Sequence, residues 1–166
     1  MSVKQYRKKR NFKKTQEPTT SKTVSSTLNF CVQRHVASHF HYDFRLECKG
    51  VLLSWAVPKG LPLSSKEKRL AIHVEDHPLD DQYFEGVIPE GNYGAGTVEL
   101  WDHGTFRTFE GNTKKEMESY LKKGLAKGHF GVILSGKRFQ GKFVFQHMQD
   151  KSWLLLKKRL QKNGSE

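Results

Sequence analysis

The sequence predicts a mainly β protein, an antiparallel β-barrel of about eight strands with one or two flanking helices. Short segments that alternate between apolar and polar residues recur at regular spacing, with turn residues between them. A single segment carries a convincing helical pattern. Helices do not separate successive strands, as they would in a doubly wound parallel sheet.

Composition divides the chain into three parts. Residues 1–27 are basic and then rich in Ser and Thr, which predicts a partly flexible N-terminal arm. Residues 28–160 are expected to form one barrel domain, and residues 161–166 a C-terminal tail. There is no run of 18 apolar residues and no apolar segment behind the basic N-terminus, so we expect neither a membrane span nor a secretory signal. We expect a cytoplasmic monomer in which Cys31 and Cys48 are free thiols.

Strand patterns fill the first half of the barrel domain. Alternation predicts four strands there, at residues 28–33, 40–47, 51–57 and 69–75. The second and third form a β-hairpin around Cys48-Lys49-Gly50. Residues 64–67 read as a turn, and the segment Asp76-His77-Pro78-Leu79-Asp80 is expected to break the fourth strand.

The second half contains the predicted helix. Thr113 and Glu116 form a capping box, apolar residues follow at helical spacing, and Gly128 ends the helix. A hairpin around His103-Gly104 is expected before it, and three short strands after it. These five strands are predicted at residues 97–102, 105–109, 129–134, 142–148 and 152–158.

The glycine-rich stretch at residues 91–96 resembles a nucleotide-binding loop only in composition. A dinucleotide fingerprint or a P-loop follows a strand and opens a helix. This stretch leads instead into the strand-like sequence at residues 97–101. We interpret it as a tight loop that needs unusual backbone angles.

The charge is strongly positive and unevenly spread. The net charge is +12, and residues 1–23 hold eight Lys and Arg against one acid, Glu17. Such an excess favours a polyanionic partner such as nucleic acid, through counterion release and electrostatic steering. The alternative is a solubilising tail without a specific partner.

The predicted strand at residues 40–47 has an unusual polar face. Its apolar face carries Phe40, Tyr42, Phe44 and Leu46, and the other face, expected toward solvent, carries His39, His41, Asp43, Arg45 and Glu47. Three of the eight histidines lie within seven residues here. Imidazole, carboxylate and guanidinium groups on one face indicate an active site that holds a divalent metal and a phosphate.

The metal would be bound by two histidines and a carboxylate. His41 and Asp43 are two apart on one strand, so both side chains leave the same face, and His35 can reach them from the adjoining segment. This ligand set suits Mn²⁺, Fe²⁺ or Zn²⁺ better than Ca²⁺. His39 is the rival ligand, and a packing role for the histidines is the alternative.

Basic residues could hold the phosphate. Arg45 lies on the same face, and its planar fork matches a phosphate bidentately. Lys59 lies just after the predicted strand at residues 51–57, and Arg69 begins the strand at residues 69–75. His77 could donate a proton to a phosphoryl or leaving-group oxygen. Each could instead be solvated, form a salt bridge or cap a turn.

Several motifs, in the same order along residues 6–160, are similar to those of one family. They are Gln33-Arg34-His35, the stretch at residues 41–47, Ser54-Trp55-Ala56-Val57-Pro58-Lys59-Gly60, the stretch at residues 74–80, and residues 84–91 with 93–96. Together they resemble the 3′-phosphoesterase module of DNA ligase D.

The resemblance implies a β-barrel at which a DNA 3′ end docks, and a Mn²⁺-dependent hydrolase. Such an enzyme removes a 3′-phosphate and trims a 3′-terminal ribonucleotide, which prepares the end for a DNA ligase and a polymerase of end joining. By position, the implied metal ligands are His35, His41 and Asp43. The implied phosphate-contacting and supporting residues are Arg45, His77, Lys59, Arg69, Arg10 and Glu17.

The chain departs from the family pattern at two positions. Asn11 stands where Asp is usual, and Asp81 where a functional Tyr is usual, with Tyr83 two residues later. These departures bear on the balance between phosphate removal and ribonucleotide trimming. A non-catalytic nucleic-acid-binding barrel would also explain the charge, and an iron-dependent oxygenase would also use two His and one carboxylate.

Overall fold

The computed structural model of the protein describes residues 26–92 and 95–159. Its strands are β1 (Leu28–Val36), β2 (His41–Cys48), β3 (Val51–Val57), β4 (Lys68–Pro78), β5 (Gly86–Ile88), β6 (Gly96–Thr108), β7 (His129–Ser135), β8 (Gln140–Gln149) and β9 (Ser152–Lys157). Its helices are the 3₁₀ helix Leu79–Tyr83 and α1 (Lys114–Lys127). Among these residues no helix is long and apolar enough to span a bilayer.

Eight of the strands close into an antiparallel barrel. Their order is β1-β2-β3-β4-β9-β8-β7-β6, and β6 pairs back with β1. β5 is an additional strand that pairs only with the beginning of β6. The predicted fold class, a barrel of about eight antiparallel strands with a flanking helix, is therefore confirmed.

Aromatic side chains fill the inside of the barrel. The rings of Phe130 and Phe145 stack with their centroids 4.7 Å apart, and the Trp55 ring lies 4.6 Å from that of Phe145. Phe44 on β2 stacks on Phe145 as well, at 5.6 Å. A small barrel filled in this way has no room for a ligand, so a functional cavity has to lie on its outer surface.

The helix α1 follows its sequence signals. The Thr113 side chain accepts a hydrogen bond from the Glu116 backbone, and the Glu116 side chain accepts from the Thr113 backbone. Gly128 ends the helix in the left-handed conformation at φ 88°, which glycine adopts without strain. Met117 and Leu121 are buried on its inner side as part of the barrel core.

The predicted hairpin around His103-Gly104 is wrong, because β6 is one continuous strand. His103 and Gly104 pair with Cys31 and Phe30 of β1 in the middle of the strand. A Cβ at position 104 would collide with the Ser135 carbonyl. The glycine therefore allows a close approach of two backbones, where the sequence alone suggested a turn.

The end of β4 also differs from its prediction. The strand continues through Asp76 and His77 to Pro78, and His77 pairs with Leu52 of β3 after a register shift between Leu52 and Ser54. Pro78, the last residue of the strand, lies next to this irregular pairing, and sheets accommodate proline at such bulges. The short strand β5 was not predicted.

Candidate metal centre and phosphate site

The pairing of β1 with β2 assembles the predicted residues. In this antiparallel register His35 lies opposite His41, Gln33 opposite Asp43, and Cys31 opposite Arg45. Directly opposed side chains on one face of a sheet lie about 5 Å apart. Register therefore explains how His35, six residues before His41 in the chain, reaches the same site.

The polar face of β2 is buried, which corrects the expectation that it faces solvent. Asp43 is 8% exposed and Arg45 6%, although both point away from the barrel core. The 3₁₀ helix Leu79–Tyr83 and the residues after it cover this face, and the Gln33 amide donates hydrogen bonds to the carbonyls of Asp81 at 2.8 Å and Phe84 at 3.1 Å. The alternation correctly predicted that these polar side chains share one face of β2. A segment distant in the sequence covers that face, so the alternation could not predict its burial.

A cavity of about 720 Å³ opens between this face and its cover. Its polar lining includes His35, His41, Asp43, Arg45 and His77. Apolar side chains form much of the remaining wall, including those of Val36, Ala56, Val74, Phe84 and Ile88. A concave apolar wall with a few convergent polar groups is typical of a ligand site.

His35, His41 and Asp43 form a group that suits a divalent cation. One ligand atom from each lies within 4.8 Å of the others. The His41 Nε2 is 3.3 Å from one Asp43 oxygen, and the His35 Nδ1 is 3.8 Å from the other. His41 Nδ1 donates to the His39 carbonyl at 3.0 Å, so the Nε2 that faces Asp43 is the nitrogen that would bind a cation, and it would release the proton it shares with Asp43 on doing so. The set fits the metals expected from two imidazoles and a carboxylate.

Electrostatics keep the carboxylate of this group charged. Burial by itself would raise the pKa of Asp43, but the Arg45 guanidinium and hydrogen bonds from His35 and His41 hold that pKa well below its usual range. The hydrogen bond to Asp43 raises the pKa of His41 against the opposing effect of burial. Asp43 is thus available as an anionic ligand at neutral pH.

Arg45 is held in a fixed orientation at the floor of the cavity. Its Nε donates to the Gln33 side-chain oxygen at 2.7 Å, and one terminal nitrogen donates to the Ser54 hydroxyl at 2.9 Å. The other terminal nitrogen lies 3.5 Å from an Asp43 oxygen. Sequence reasoning assigned no role to Gln33 or Ser54, although both begin motifs that carry the family resemblance and each is a polar residue in an apolar strand pattern.

His39 and His77 have different positions around the cavity. His39 lies in the exposed connection between β1 and β2 and lines the cavity, outside the three-residue metal group. His77 is buried near the end of β4, and its Nδ1 hydrogen-bonds the Glu75 carbonyl at 2.8 Å. Since a carbonyl only accepts, the Nδ1 of His77 carries a proton and donates it in this hydrogen bond.

Asp81 lines the cavity and Tyr83 does not. Asp81 is 3% exposed, on the 3₁₀ helix that covers the site. Tyr83 is 60% exposed and stacks on the His103 ring with centroids 4.9 Å apart. A carboxylate thus stands at the cavity wall where a Tyr would be usual, and Tyr83 lies elsewhere.

The remaining predicted residues lie away from this cavity. Lys59 and Arg69 line a second groove of about 330 Å³, together with Lys68. Arg69 also lies 3.4 Å from a Glu67 carboxylate oxygen. Arg10 and Glu17, and the N-terminal arm that carries them, lie outside the described residues.

Comparison with known proteins decides the family. The profile described as "DNA Ligase D 3'-phosphoesterase domain" matches residues 33–147. The chain belongs to the DNA ligase D 3′-phosphoesterase domain family. The resemblance drawn from the motifs is thereby confirmed, and the matched region contains the metal group, Arg45 and His77.

The relatives are much longer proteins. The chain is 43% identical over 160 residues to the "Multifunctional non-homologous end joining protein LigD" of Pseudomonas aeruginosa, covering 92% of this chain and 18% of the relative. It is 43% identical to the "Multifunctional non-homologous end joining DNA repair protein LigD" of Mycobacterium tuberculosis strain H37Rv, over 95% of this chain and 20% of the relative. The LigD of Mycolicibacterium smegmatis is 40% identical, with 96% and 21% covered. The chain thus spans about a fifth of the length of these relatives, and family membership supports a phosphoesterase with a role in DNA end processing.

Proposed function

We propose that the protein is a Mn²⁺-dependent phosphoesterase that removes a 3′-phosphate and trims a 3′-terminal ribonucleotide from DNA, leaving a 3′-OH. The observation that carries this proposal is the position of the metal group beside Arg45. His35, His41 and Asp43 meet within 4.8 Å, and the Arg45 guanidinium lies 3.5 Å from Asp43 at the floor of the same cavity. A metal group next to an oriented guanidinium suits phosphoryl transfer, in which metal ions and cationic side chains stabilise the charge on the transferred group.

A bound divalent cation would act as a Lewis acid toward a phosphate oxygen. Within this chain, the ionised Asp43 and the lone pairs of His35 and His41 would hold that cation. Arg45 would bind the phosphate oxygens, since Gln33 and Ser54 already fix its orientation and little reorganisation is needed on binding. His77 would contact the phosphoryl group or protonate the leaving oxygen, with its ring oriented by the Glu75 carbonyl.

The groove at Lys59, Lys68 and Arg69 supports a further part of the proposal. Three cationic side chains around one depression form a site for the DNA backbone, which positions the strand without reading its sequence. We propose the same role for the basic arm, in which Arg10 and Glu17 would assist the activity. The healed 3′ end would serve a DNA ligase and a polymerase of end joining, with this protein acting in the cytoplasm as a monomer.

A primer-extension gel tests this function. The full chain is incubated with Mn²⁺ and a primer-template whose primer ends in a 3′-phosphate or in one ribonucleotide. We expect both ends to become 3′-OH, and Arg45→Lys to lower the rate on the order of 100-fold, because an ammonium cannot reproduce the bidentate fork. An unchanged primer, or full activity of His41→Ala, would contradict the proposal. Binding without any turnover would favour a non-catalytic nucleic-acid-binding barrel.

A further inference from the structure

Four aliphatic side chains form one patch on the outside of the barrel, where β4 pairs with β9. On each strand they alternate with residues of the core, so their side chains leave the outer face. The register places Leu70 directly opposite Leu154, and side chains opposed in this way lie about 5 Å apart. We name this patch the aliphatic face, and its members are Leu70 and Ile72 of β4 and Leu154 and Leu156 of β9.

The aliphatic face is unusual for strands at the surface of a barrel. A strand with one face in water normally alternates between apolar and polar residues, whereas Leu154-Leu155-Leu156 of β9 is apolar without a break. Leu70 is 44% exposed, and the other three members of the face are partly exposed. Contiguous exposed apolar side chains mark interaction sites, whereas single ones are common on any protein surface.

Three lysines surround one end of the aliphatic face. Lys68 lies directly opposite Leu156 on β4. On the other side Val144 lies opposite Leu156, and Lys142 precedes Val144 by two residues on the same face of β8. The Lys158 N–H donates to the Lys142 carbonyl at 2.8 Å, so these two lysines are paired across β8 and β9. Like charges placed so close across a sheet destabilise it, and a carboxylate bound between them would offset the repulsion.

The strand segments that carry and flank the aliphatic face have no carboxylate to balance these lysines. Residues 68–74, 140–146 and 152–156 contain neither Asp nor Glu. Glu67, just before β4, is engaged elsewhere, because its side chain accepts from the backbone of Leu63 at 2.6 Å and lies 3.4 Å from Arg69. Charge complementarity therefore calls for a partner with negative charge.

We propose that the aliphatic face, together with Lys68, Lys142 and Lys158, docks an acidic amphipathic segment of another protein. Such a segment carries aliphatic side chains on one side, which would lie against the face, and carboxylates beside them, which would meet the lysines. The docked protein would lie next to the metal cavity, since Val74, two residues after Ile72 on the same side of β4, lines that cavity.

Chemistry favours a protein segment over DNA as the occupant. Aliphatic side chains offer a DNA strand neither hydrogen-bond donors for its phosphates nor rings for its bases. In the long relatives the matched domain is covalently joined to other protein segments. The inference goes beyond the proposed function and does not depend on it, because docking is measured without any substrate.

A labelled peptide tests the docking directly. The probe is a fluorescein-labelled peptide of about 15 residues, with leucine at helical spacing and glutamate at most other positions. Its fluorescence anisotropy with the full chain should give a Kd on the order of 100 µM or lower at low salt, and a higher Kd as salt screens the charges. Replacing leucine by alanine, or glutamate by lysine, in the peptide should weaken binding at least about 10-fold.

Variants of the chain locate the binding site. The double variant Leu154→Thr with Leu156→Thr keeps residues that suit a strand and should weaken peptide binding about 10-fold. Lys158→Gln removes one exposed charge and should weaken it about threefold, with a smaller salt dependence. The matched controls are Val87→Thr, at an exposed apolar position of β5, and Lys123→Gln, at an exposed position of α1. Both controls should bind the peptide like the wild-type protein.

Three results would overturn the inference. The first is absent peptide binding, equal binding of the leucine and alanine peptides, or losses in the controls as large as those in the face variants. The second is an equal loss of peptide and duplex DNA binding in the double variant, which would assign the face to DNA. The third is binding to phosphatidylglycerol vesicles that the double variant loses, which would assign it to a membrane surface. Circular dichroism checks that the double variant folds, and Lys158→Gln, at an exposed position, decides the outcome if it does not.

Discussion

The side-chain oxygen of Gln33 accepts a hydrogen bond of 2.7 Å from the Nε of Arg45. The amide of the same Gln33 donates to the carbonyls of Asp81 and Phe84 in the segment that covers the cavity. One buried glutamine thus connects the proposed phosphate-binding arginine to the cover of the site. The hydrogen bond from Arg45 holds the guanidinium in one orientation, whereas the flexible arginine side chain without it could adopt several.

Replacement of Gln33 by Met tests this connection. Met has a similar size but cannot accept the hydrogen bond, so the Arg45 Nε would be left buried without it. We expect kcat/KM on a 3′-phosphate primer to fall roughly 10-fold, about 1.4 kcal/mol, while Mn²⁺ affinity stays unchanged. Asn29→Ala is the control, because Asn29 holds Gln82 of the same covering helix without contacting Arg45. Equal losses in both variants would assign Gln33 to the cover alone.

Measurements of Mn²⁺ affinity distinguish the proposed ligand His41 from the rival His39. Removing the His41 imidazole deletes one donor of the group, so His41→Ala should weaken Mn²⁺ binding on the order of 100-fold or more, measured by calorimetry or by the free Mn²⁺ electron paramagnetic resonance signal. His39→Ala keeps the backbone carbonyl that orients His41, and its Mn²⁺ affinity should stay within about threefold of the wild-type value. A greater loss in His39→Ala than in His41→Ala would identify His39 as the ligand.

The carboxylate of Asp81 in the cavity wall should oppose a phosphate dianion. We expect Asp81→Asn to lower the KM for a 3′-phosphate primer roughly threefold to tenfold, since like charges in a partly buried site repel by on the order of 1 kcal/mol. Steady-state kinetics on 3′-phosphate and 3′-ribonucleotide primers measure the effect and any change in their ratio. Asp80→Asn, at an exposed neighbouring position outside the cavity lining, should leave both unchanged. A higher KM in Asp81→Asn would show instead that this carboxylate assists phosphate binding.

The two cysteines should be unreactive in the folded protein. Burial raises the pKa of the Cys31 thiol to about 12 and that of Cys48 to about 11. Neither thiol forms a disulfide and both are buried, so at pH 8 almost none of either is present as the reactive thiolate. A disulfide exchange reagent should modify the native protein at least about 100-fold more slowly than the protein in guanidinium chloride. Rapid modification of both cysteines in the native protein would contradict the burial of their thiols.

Local sequence signals were sufficient for several elements. Alternation located β2 and β3, and the capping box with Gly128 located α1, because these patterns act through neighbouring residues. The same reasoning failed at Gly104, where a glycine that lets β6 approach Ser135 looked like a turn. Local patterns also predicted that β4 ends before His77, because the last residues of this strand are held by their pairing with β3.

The sequence by itself determined the fold class, the family, and the residue types of the site, because strand periodicity and the order of the motifs are written along the chain. Only the tertiary structure decided which of these residues meet. Antiparallel register placed His35 opposite His41, and a helix some forty residues after Asp43 covered the face that was expected to lie in water. Both depend on contacts between distant segments, and the burial that results, with the neighbouring guanidinium and imidazole groups, sets the pKa of Asp43.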